Sequence, residues 1–344
     1  MDDKHETGFT AVIDANLNRV AEGLRVLEDI CRFVFRDAGL QQKIKKSRHR
    51  INTLVPVQTV IAKRSSLDDV GFSATGLLEE RRTGSDDLVR ANSKRVQEGT
   101  RVLEELFKTT DITLSREMKN IRYEAYEYER ILLVYCHRPR LEAGLYLILT
   151  DPPAGYEKMA EYAVEAGIPA LQLRYKGDDQ RHHLDLAQKV REITKNSKTL
   201  CIINDRPDIA LMVGADGVHI GQSDLPPVSV RKCIGDRMLL GLSTHNLEQV
   251  NRSIIEPVDY IGIGPLYTTT SKEKPDPVTG PEIVLSALDV VHCPVVAIGG
   301  LTIERIKTLK SGSCRNVAVI SEVAMAENPL LAMQTIQKII MEKL

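Results

Sequence analysis

The chain has 344 residues, 42% of them hydrophobic, enough apolar material for a sizeable core and a length that favours two domains over one. Lys plus Arg total 46 against 47 Asp plus Glu, giving a net charge of −1, so no nucleic-acid partner and no acidic membrane face is expected and any phosphate site has to be local. The opening MDDKHETGFT lacks both a basic start and an apolar stretch, and no run reaches the roughly 20 apolar residues of a spanning helix, so the expectation is a soluble, cytoplasmic protein.

The six cysteines, at 31, 136, 201, 233, 293 and 314, show no paired metal spacing, and four of them lie in apolar runs that suit buried, reduced thiols. From Asp14 to about His137 apolar residues recur at helical spacing, which predicts an all-α domain over residues 1–138. Within it Ala15-Asn16-x-x-Arg19-Val20-x-Glu22-Gly23-x-Arg25-Val26-Leu27-Glu28-Asp29 returns at 91–105 as Ala91-Asn92-x-x-Arg95-Val96-x-Glu98-Gly99-x-Arg101-Val102-Leu103-Glu104-Glu105, the mark of a duplication. A weaker echo comes after each copy, Ile44-Lys45-x-x-Arg48 against Met118-Lys119-x-x-Arg122, so the repeating unit reads as two helices joined by a turn. Two such pairs are expected to pack as a pseudo-symmetric bundle. On a helical wheel Val20, Leu24 and Leu27 form an apolar stripe with Asn16, Arg19 and Gly23 beside it, a setting in which polar groups line a cleft. Arg19, Glu22, Arg25 and Glu28 with their repeat partners also suit helix-surface ion pairs, so a purely structural, dimerising domain competes.

Past Arg138-Pro139-Arg140 short apolar runs alternate with helical stretches, at 145–149, 170–173, 200–203, 217–220, 239–242, 260–263, 295–298 and 317–320. Eight strands with intervening helices over residues 139–344 predict a closed α/β barrel, the (β/α)8 or TIM architecture, with a doubly wound sheet as the alternative. Such barrels build their sites at the C-terminal ends of the strands, so the polar residues just past each apolar run are the candidates. After the second run comes Gln172-Leu173-Arg174-Tyr175-Lys176, where alternation sends Gln172, Arg174 and Lys176 to one side and suits a phosphorylated ligand. The third ends in Asn204-Asp205-Arg206-Pro207, where Asp205 is either a helix cap or a ligand. Beyond the fourth stands Asp224, and Asp205 with Asp224 suits a hard cation of the Mg2+ type together with a diphosphate.

Ser243 closes the fifth run, and the sixth leads through Gly262-Ile263-Gly264-Pro265 into Thr268-Thr269-Thr270-Ser271-Lys272. Pro265 breaks any dinucleotide fingerprint, so a nicotinamide site is rejected. Gly299-Gly300 and Ser321 stand where such barrels bind phosphate, or else where the glycines simply make a tight turn. Two anion sites, hence two phosphorylated small molecules, are expected.

Together these residues strongly resemble thiamine phosphate synthases, from about residue 143 to the C-terminus. The resemblance implies a Mg-dependent transferase of thiamine biosynthesis that condenses 4-amino-2-methyl-5-(diphosphomethyl)pyrimidine with thiazole phosphate. It places the pyrimidine diphosphate on Gln172 to Lys176, Asn204, Ser243 and Lys272, with Mg2+ on Asp205 and Asp224. Arg174, Lys176, Ser243 and Lys272 would act on the reaction itself, and the thiazole phosphate would meet Thr269, Thr270, Ser271, Gly300, Ile320 and Ser321. Ser271 stands where the family usually has threonine, which keeps the hydroxyl. The competing readings are a thiazole tautomerase-like barrel and an inactive, ligand-sensing barrel with a helical domain that forms a homo-oligomer.

The helical half, with Asp68-Asp69-Val70-Gly71 ahead of its second copy, looks like a domain sometimes fused to these synthases and associated with phosphorylating hydroxymethylpyrimidine phosphate. That resemblance implies ATP and Mg2+, with Asn16, Arg19, Glu22, Asp69, Asn92, Arg95 and Glu98 as candidates. No P-loop accompanies them, and Phe72 stands where threonine would be expected after Asp-Val-Gly.

Overall fold

The structure, a computed structural model, describes residues 3–35, 37–54, 83–269, 276–309 and 315–342, with the backbone alone for 3–8. It divides into two compact units, Met1–His137 and Arg138–Leu344.

The first unit is helical. Helix α1 (Asp3–Asp29) runs into a π-helical turn (Ile30–Phe35), and after it come α2 (Ala38–Leu54), α3 (Ser85–Phe107) and α4 (Ile112–His137). The stripe Val20, Leu24 and Leu27 is buried against Ile44, Val96, Leu103, Met118, Ile121 and Leu132, and this core holds the four helices together.

The duplication is visible in the contacts. The side chain of Asn16 donates to the Val12 carbonyl and that of Asn92 to the Leu88 carbonyl, each at 2.8 Å. Asp37 Oδ1 accepts from the Leu40 amide as Asp111 Oδ1 accepts from that of Leu114, so each copy's second helix starts on an aspartate. Glu28 meets Arg48 at 2.8 Å, and Glu104 meets Arg122 at 2.8 Å. Both carboxylates are largely buried, so removing Arg48 would leave Glu28 facing only the neutral Gln41, at a cost of up to about 3–5 kcal/mol, whereas Glu104 would keep Arg101 on loss of Arg122 and lose less. Helices α1 and α3 cross antiparallel at two glycines. A Cβ at Gly23 would lie 2.8 Å from a Val96 methyl and 2.9 Å from the Asn92 carbonyl, and one at Gly99 would lie 2.8 Å from a Val20 methyl.

The second unit is a closed barrel. Its parallel strands are β1 (Gly144–Leu149), β2 (Ala170–Leu173), β3 (Leu200–Asn204), β4 (Gly217–Ile220), β5 (Leu239–Thr244), β6 (Tyr260–Ile263), β7 (Val295–Ile298) and β8 (Asn316–Val319), and β8 pairs with β1. The helices are α5 (Tyr156–Glu165), α6 (Gln180–Thr194), α7 (Pro207–Val213), α8 (Pro227–Ile234), α9 (Leu247–Ser253), α10 (Ile283–Val290), α11 (Ile303–Thr308), α12 (Ser321–Ala324) and α13 (Pro329–Glu342). Every apolar run read from the sequence is a strand, and strand order follows chain order, which excludes the doubly wound alternative.

The pleat divides the strand residues into two sets. One set, with Leu171, Leu173, Ile203, Val218 and Leu240 among its members, packs outward against the helices. The other, including Tyr146, Ile148, Ala170, Ile202, Tyr260 and Val296, fills the barrel interior. Among the described residues no helix is long and apolar enough to cross a membrane, and Cys31, Cys201, Cys233 and Cys293 are free thiols.

Because both glycines sit at helix-crossing contacts, Gly23→Ala is expected to destabilise the helical unit by about 1–2 kcal/mol despite alanine's better helix propensity. A urea titration monitored by circular dichroism would register this as a lower midpoint for the helical transition.

Candidate active site

At the C-terminal mouth the inward face of the barrel becomes polar. Gln172 and Arg174 from β2 and its end, Asn204 and Asp205 from β3, His219 from β4, Asp224 beyond it and Ser243 from β5 line one cavity. The rest of its wall includes Ile148, Ile298 and Ile320, which keep the floor apolar.

Asp205 is the strained point of this wall, with a left-handed backbone at φ 59°. Its Oδ2 accepts from the Asn204 side chain at 2.5 Å, while Asp224 Oδ2 accepts from the Gly221 amide at 2.6 Å. Desolvation among the packed strand ends, a shared hydrogen bond with Asp224 and the charge of that carboxylate push the Asp205 pKa up to about 7, with Arg174 and Asn204 acting in the opposite sense. Two repelling carboxylates beside a cation are a donor set that a hard dication relieves. Among the described residues there is no cluster of three or more metal-ligating side chains, but magnesium needs only one or two carboxylates when water and phosphate oxygens complete its shell. Arg174 Nη1 is buried with no hydrogen-bond partner, so the site holds an unused, positively charged donor for an anion.

A second cavity adjoins the first and shares Thr269, Ile298, Gly299 and Ile320 with it. Its remaining wall includes Thr268, Gly300, Thr302, Arg305, Ser321 and Glu322. Gly300 has φ 62°, and a Cβ there would collide with the Thr268 carbonyl, so only glycine brings the two loops this close. The Arg305 guanidinium lies 4.5 Å from the Tyr267 ring centroid and donates to the Gly300 carbonyl, which places a fixed cation beside this cavity.

The residues expected from the sequence are distributed unevenly. Gln172, Arg174, Asn204, Asp205, Asp224 and Ser243 come together in the first cavity, Gly300 and Ser321 in the second, and Thr269 and Ile320 at their junction. Leu173 and Tyr175 do not present side chains there. The pleat turns Leu173 outward into the core, and Tyr175 packs on His182 and His183 with ring centroids 5.5 and 5.1 Å away. Lys176, past the end of the strand, is exposed and lines neither cavity. The capping alternative for Asp205 fails, because Arg206 occupies the N-cap position of α7 and the Asp205 carboxylate turns to Asp224 instead. Thr270, Ser271 and Lys272, like Asp69, lie outside the described residues.

In the helical unit Asn16 and Asn92 are buried at the α1–α3 crossing, and Asn92 Oδ1 has no partner. Arg19, Glu22, Arg95 and Glu98 are exposed. The crossing brings the first copy's Gly23 beside Asn92 and Arg95 of the second, and the second copy's Gly99 beside Asn16 of the first. Glu28 reaches across to Arg48 and Gln41, whereas Glu104 meets both Arg101 in its own helix and Arg122 across the bundle.

Sequence reading assigned no role to His219, His245, Asp276, Arg305 or Glu322. His219 was reachable by parity, since it alternates inward with Gly217 along β4. His245 meets its partners only through folding, its Nδ1 lying 2.6 Å from the Gly264 carbonyl and its Nε2 3.5 Å from Asp276.

A closed (β/α)8 barrel whose mouth carries two adjoining polar cavities, one with paired aspartates and an unpartnered guanidinium nitrogen, has the build of an enzyme for phosphorylated small molecules. Residues 145–323 match the family described as thiamine monophosphate synthase, and residues 11–131 match the ThiD2 family. The chain is 36% identical over 333 residues to the thiamine-phosphate synthase of Synechococcus sp. (strain WH7803), covering 93% of each chain. It is 36% identical over 323 residues to that of Nostoc punctiforme, covering 94% of this chain and 92% of the relative. A thiamine phosphate pyrophosphorylase from Pyrococcus furiosus superposes with a TM-score of 0.54 at 30% identity, over 60% of this chain and 98% of that one. The chain belongs to the thiamine monophosphate synthase family.

The raised Asp205 pKa has a sign that stability reports. The folded state holds its proton up to about pH 7 whereas the unfolded chain releases it near 3.8, so metal-free stability falls as pH rises through that window. Asp205→Asn keeps a residue that tolerates the left-handed backbone and removes one charge of the pair. Without metal the variant is expected to be the more stable by about 1 kcal/mol at pH 8, a figure reduced for exposure at the rim, with the difference closing toward pH 4. Thermal unfolding at the two pH values checks it.

Proposed function

We propose that the barrel joins 4-amino-2-methyl-5-(diphosphomethyl)pyrimidine to thiazole phosphate, releasing thiamine phosphate and diphosphate, with Mg2+ as the metal. The observation that supports this most is Asp205 facing Asp224 beside the unpartnered Nη1 of Arg174, in a cavity that shares a wall with a second, polar one lined by Gly300, Arg305 and Ser321. Asp205 and Asp224 would hold Mg2+, which supplies positive charge against the diphosphate.

As the carbon–oxygen bond of the pyrimidine substrate breaks, negative charge grows on the diphosphate, and Arg174 stabilises it more than in the ground state. Lys176 and Lys272 are assigned to the same task, and Gln172, Asn204 and Ser243 orient the substrate. Thr269, Thr270, Ser271, Gly300 and Ser321 hold the thiazole phosphate so that its ring nitrogen faces the departing bond. Ile148, Ile298 and Ile320 keep water from the carbocation-like centre. The paired aspartates favour this reading over a tautomerase-like or ligand-sensing barrel, neither of which calls for a diphosphate and its metal.

The match of residues 11–131 to the ThiD2 family supports a second activity, transfer of a phosphoryl group from ATP to hydroxymethylpyrimidine phosphate. The helical unit would then make what the barrel consumes, through Asn16, Arg19, Glu22, Asp69, Asn92, Arg95 and Glu98.

Full-length protein given the pyrimidine diphosphate, thiazole phosphate and Mg2+ is expected to form thiamine phosphate, to stop on chelation and to lose about 100-fold or more in kcat/KM as Asp205→Asn. Absence of product from folded wild type would overturn the synthase reading, and an equally active variant would overturn the metal assignment. Replacing the diphosphate substrate with hydroxymethylpyrimidine phosphate plus ATP is expected to restore product. Failure of that arm alone would remove only the kinase assignment.

A further inference from the structure

Beneath the floor of the first cavity five polar side chains form one hydrogen-bonded run. Gln172 Nε2 donates to the Tyr146 hydroxyl at 3.0 Å, and the Tyr146 and Tyr260 hydroxyls are 2.8 Å apart. The Tyr260 hydroxyl lies 3.2 Å from His219 Nδ1, and His219 Nε2 lies 2.9 Å from Ser243 Oγ. Gln172, His219 and Ser243 line the cavity, while the two phenols lie below it and are 2% and 1% exposed.

The surrounding layer is Ile148, Ala170, Ile202, Leu239, Val296 and Ala318. Two phenylalanines would fill that layer without two hydroxyls, each of which costs about 1–3 kcal/mol to bury unless bonded. The backbone makes room for the run at a further point. Gly241 stands between His219 and Tyr260 in the β4–β5–β6 row, and a Cβ there would collide with the Tyr260 ring and hydroxyl and with His219 Nδ1. A glycine inside a strand weakens it, and here its gap admits the phenol to the imidazole.

The run has a direction. The amide nitrogen of Gln172 can only donate, so the arrangement that gives every buried hydroxyl hydrogen an acceptor sends that of Tyr146 to Tyr260 and that of Tyr260 to His219 Nδ1. Burial raises the pKa of both phenols above the ordinary value, which keeps them protonated donors. An accepting Nδ1 leaves the imidazole hydrogen on Nε2, which donates to Ser243 Oγ and leaves the serine's own hydrogen for the cavity.

We propose that Tyr146 and Tyr260 are positioning residues that fix His219 as its Nε2–H tautomer and thereby aim the Ser243 hydroxyl hydrogen at the leaving diphosphate. This rests on the reading of Ser243 as a substrate contact. Because the diphosphate gains charge only as its bond breaks, the effect belongs in kcat rather than KM.

The test uses full-length protein labelled with nitrogen-15 in histidine, with the His219 resonances identified by their loss in His219→Gln. Two-bond proton–nitrogen correlation is expected to show a neutral ring protonated at Nε2, and protonation at Nδ1 would overturn the proposal. Tyr260→Phe is expected to mix the tautomers and lower kcat about five- to tenfold with KM within about twofold. Tyr146→Phe leaves the Tyr260 donor in place, so the tautomer holds and kcat falls about two- to threefold. A merely structural role would lower the thermal midpoint of both variants while leaving tautomer and kcat unchanged, and that result also overturns it. Should wild type form no thiamine phosphate, the synthase reading fails while the tautomer measurement still decides the orientation of Ser243.

Discussion

Closing eight parallel strands on themselves leaves no free edge and gives each strand one inward face, so alternate residues alone govern what the interior contains. In the lower layer those positions are mostly apolar, with the two tyrosine hydroxyls and Asn316 among the exceptions, and at the mouth they turn polar. Gln172, Asn204, His219 and Ser243 reach the same cavity because each falls on the inward parity of its own strand. The same rule removes Leu173, which differs from Gln172 by one position and faces the helices.

The paired aspartates set a second constraint, electrostatic rather than steric. Like charges held together raise the energy of this part of the fold, and the left-handed backbone at Asp205 adds to it. A fold tolerates such a feature where surrounding structure fixes it, and here the barrel strands and the hydrogen bonds to Asn204 and Gly221 do so. A ligand that neutralises the pair therefore recovers free energy already stored in the fold.

Much of this was legible in the amino-acid sequence. Apolar runs separated by helical stretches define eight βα units, because strand length and period are local properties, but closure into a barrel rather than a doubly wound sheet lies in the pairing of β8 with β1. The strand ends were readable for the same reason, and Asp205, Asp224 and Arg174 line one cavity there. His245, Asp276 and Arg305 escaped because their roles depend on which loops meet, and loop trajectories are not periodic. Asp205 as a helix cap was a reasonable local inference from the nearby Pro207, but a residue in the left-handed region turns its side chain away from the helix it precedes. In the helical unit the repeat was plain, whereas the crossing of Gly23 and Gly99 required knowing that the two copies pack antiparallel.

That crossing has a consequence for how the unit can change over evolutionary time. A single copy of the helix pair would present the same glycine face and would need a second molecule to cover it, so that any substitution at the crossing would appear on both sides at once. Joined in one chain, the copies are free to differ. Leu17 in the first corresponds to Ser93 in the second, whose hydroxyl is fully buried and without a partner. A symmetric dimer could acquire such a polar group only in duplicate. The fused arrangement allows one-sided divergence, which lets a pseudo-symmetric scaffold develop an asymmetric site.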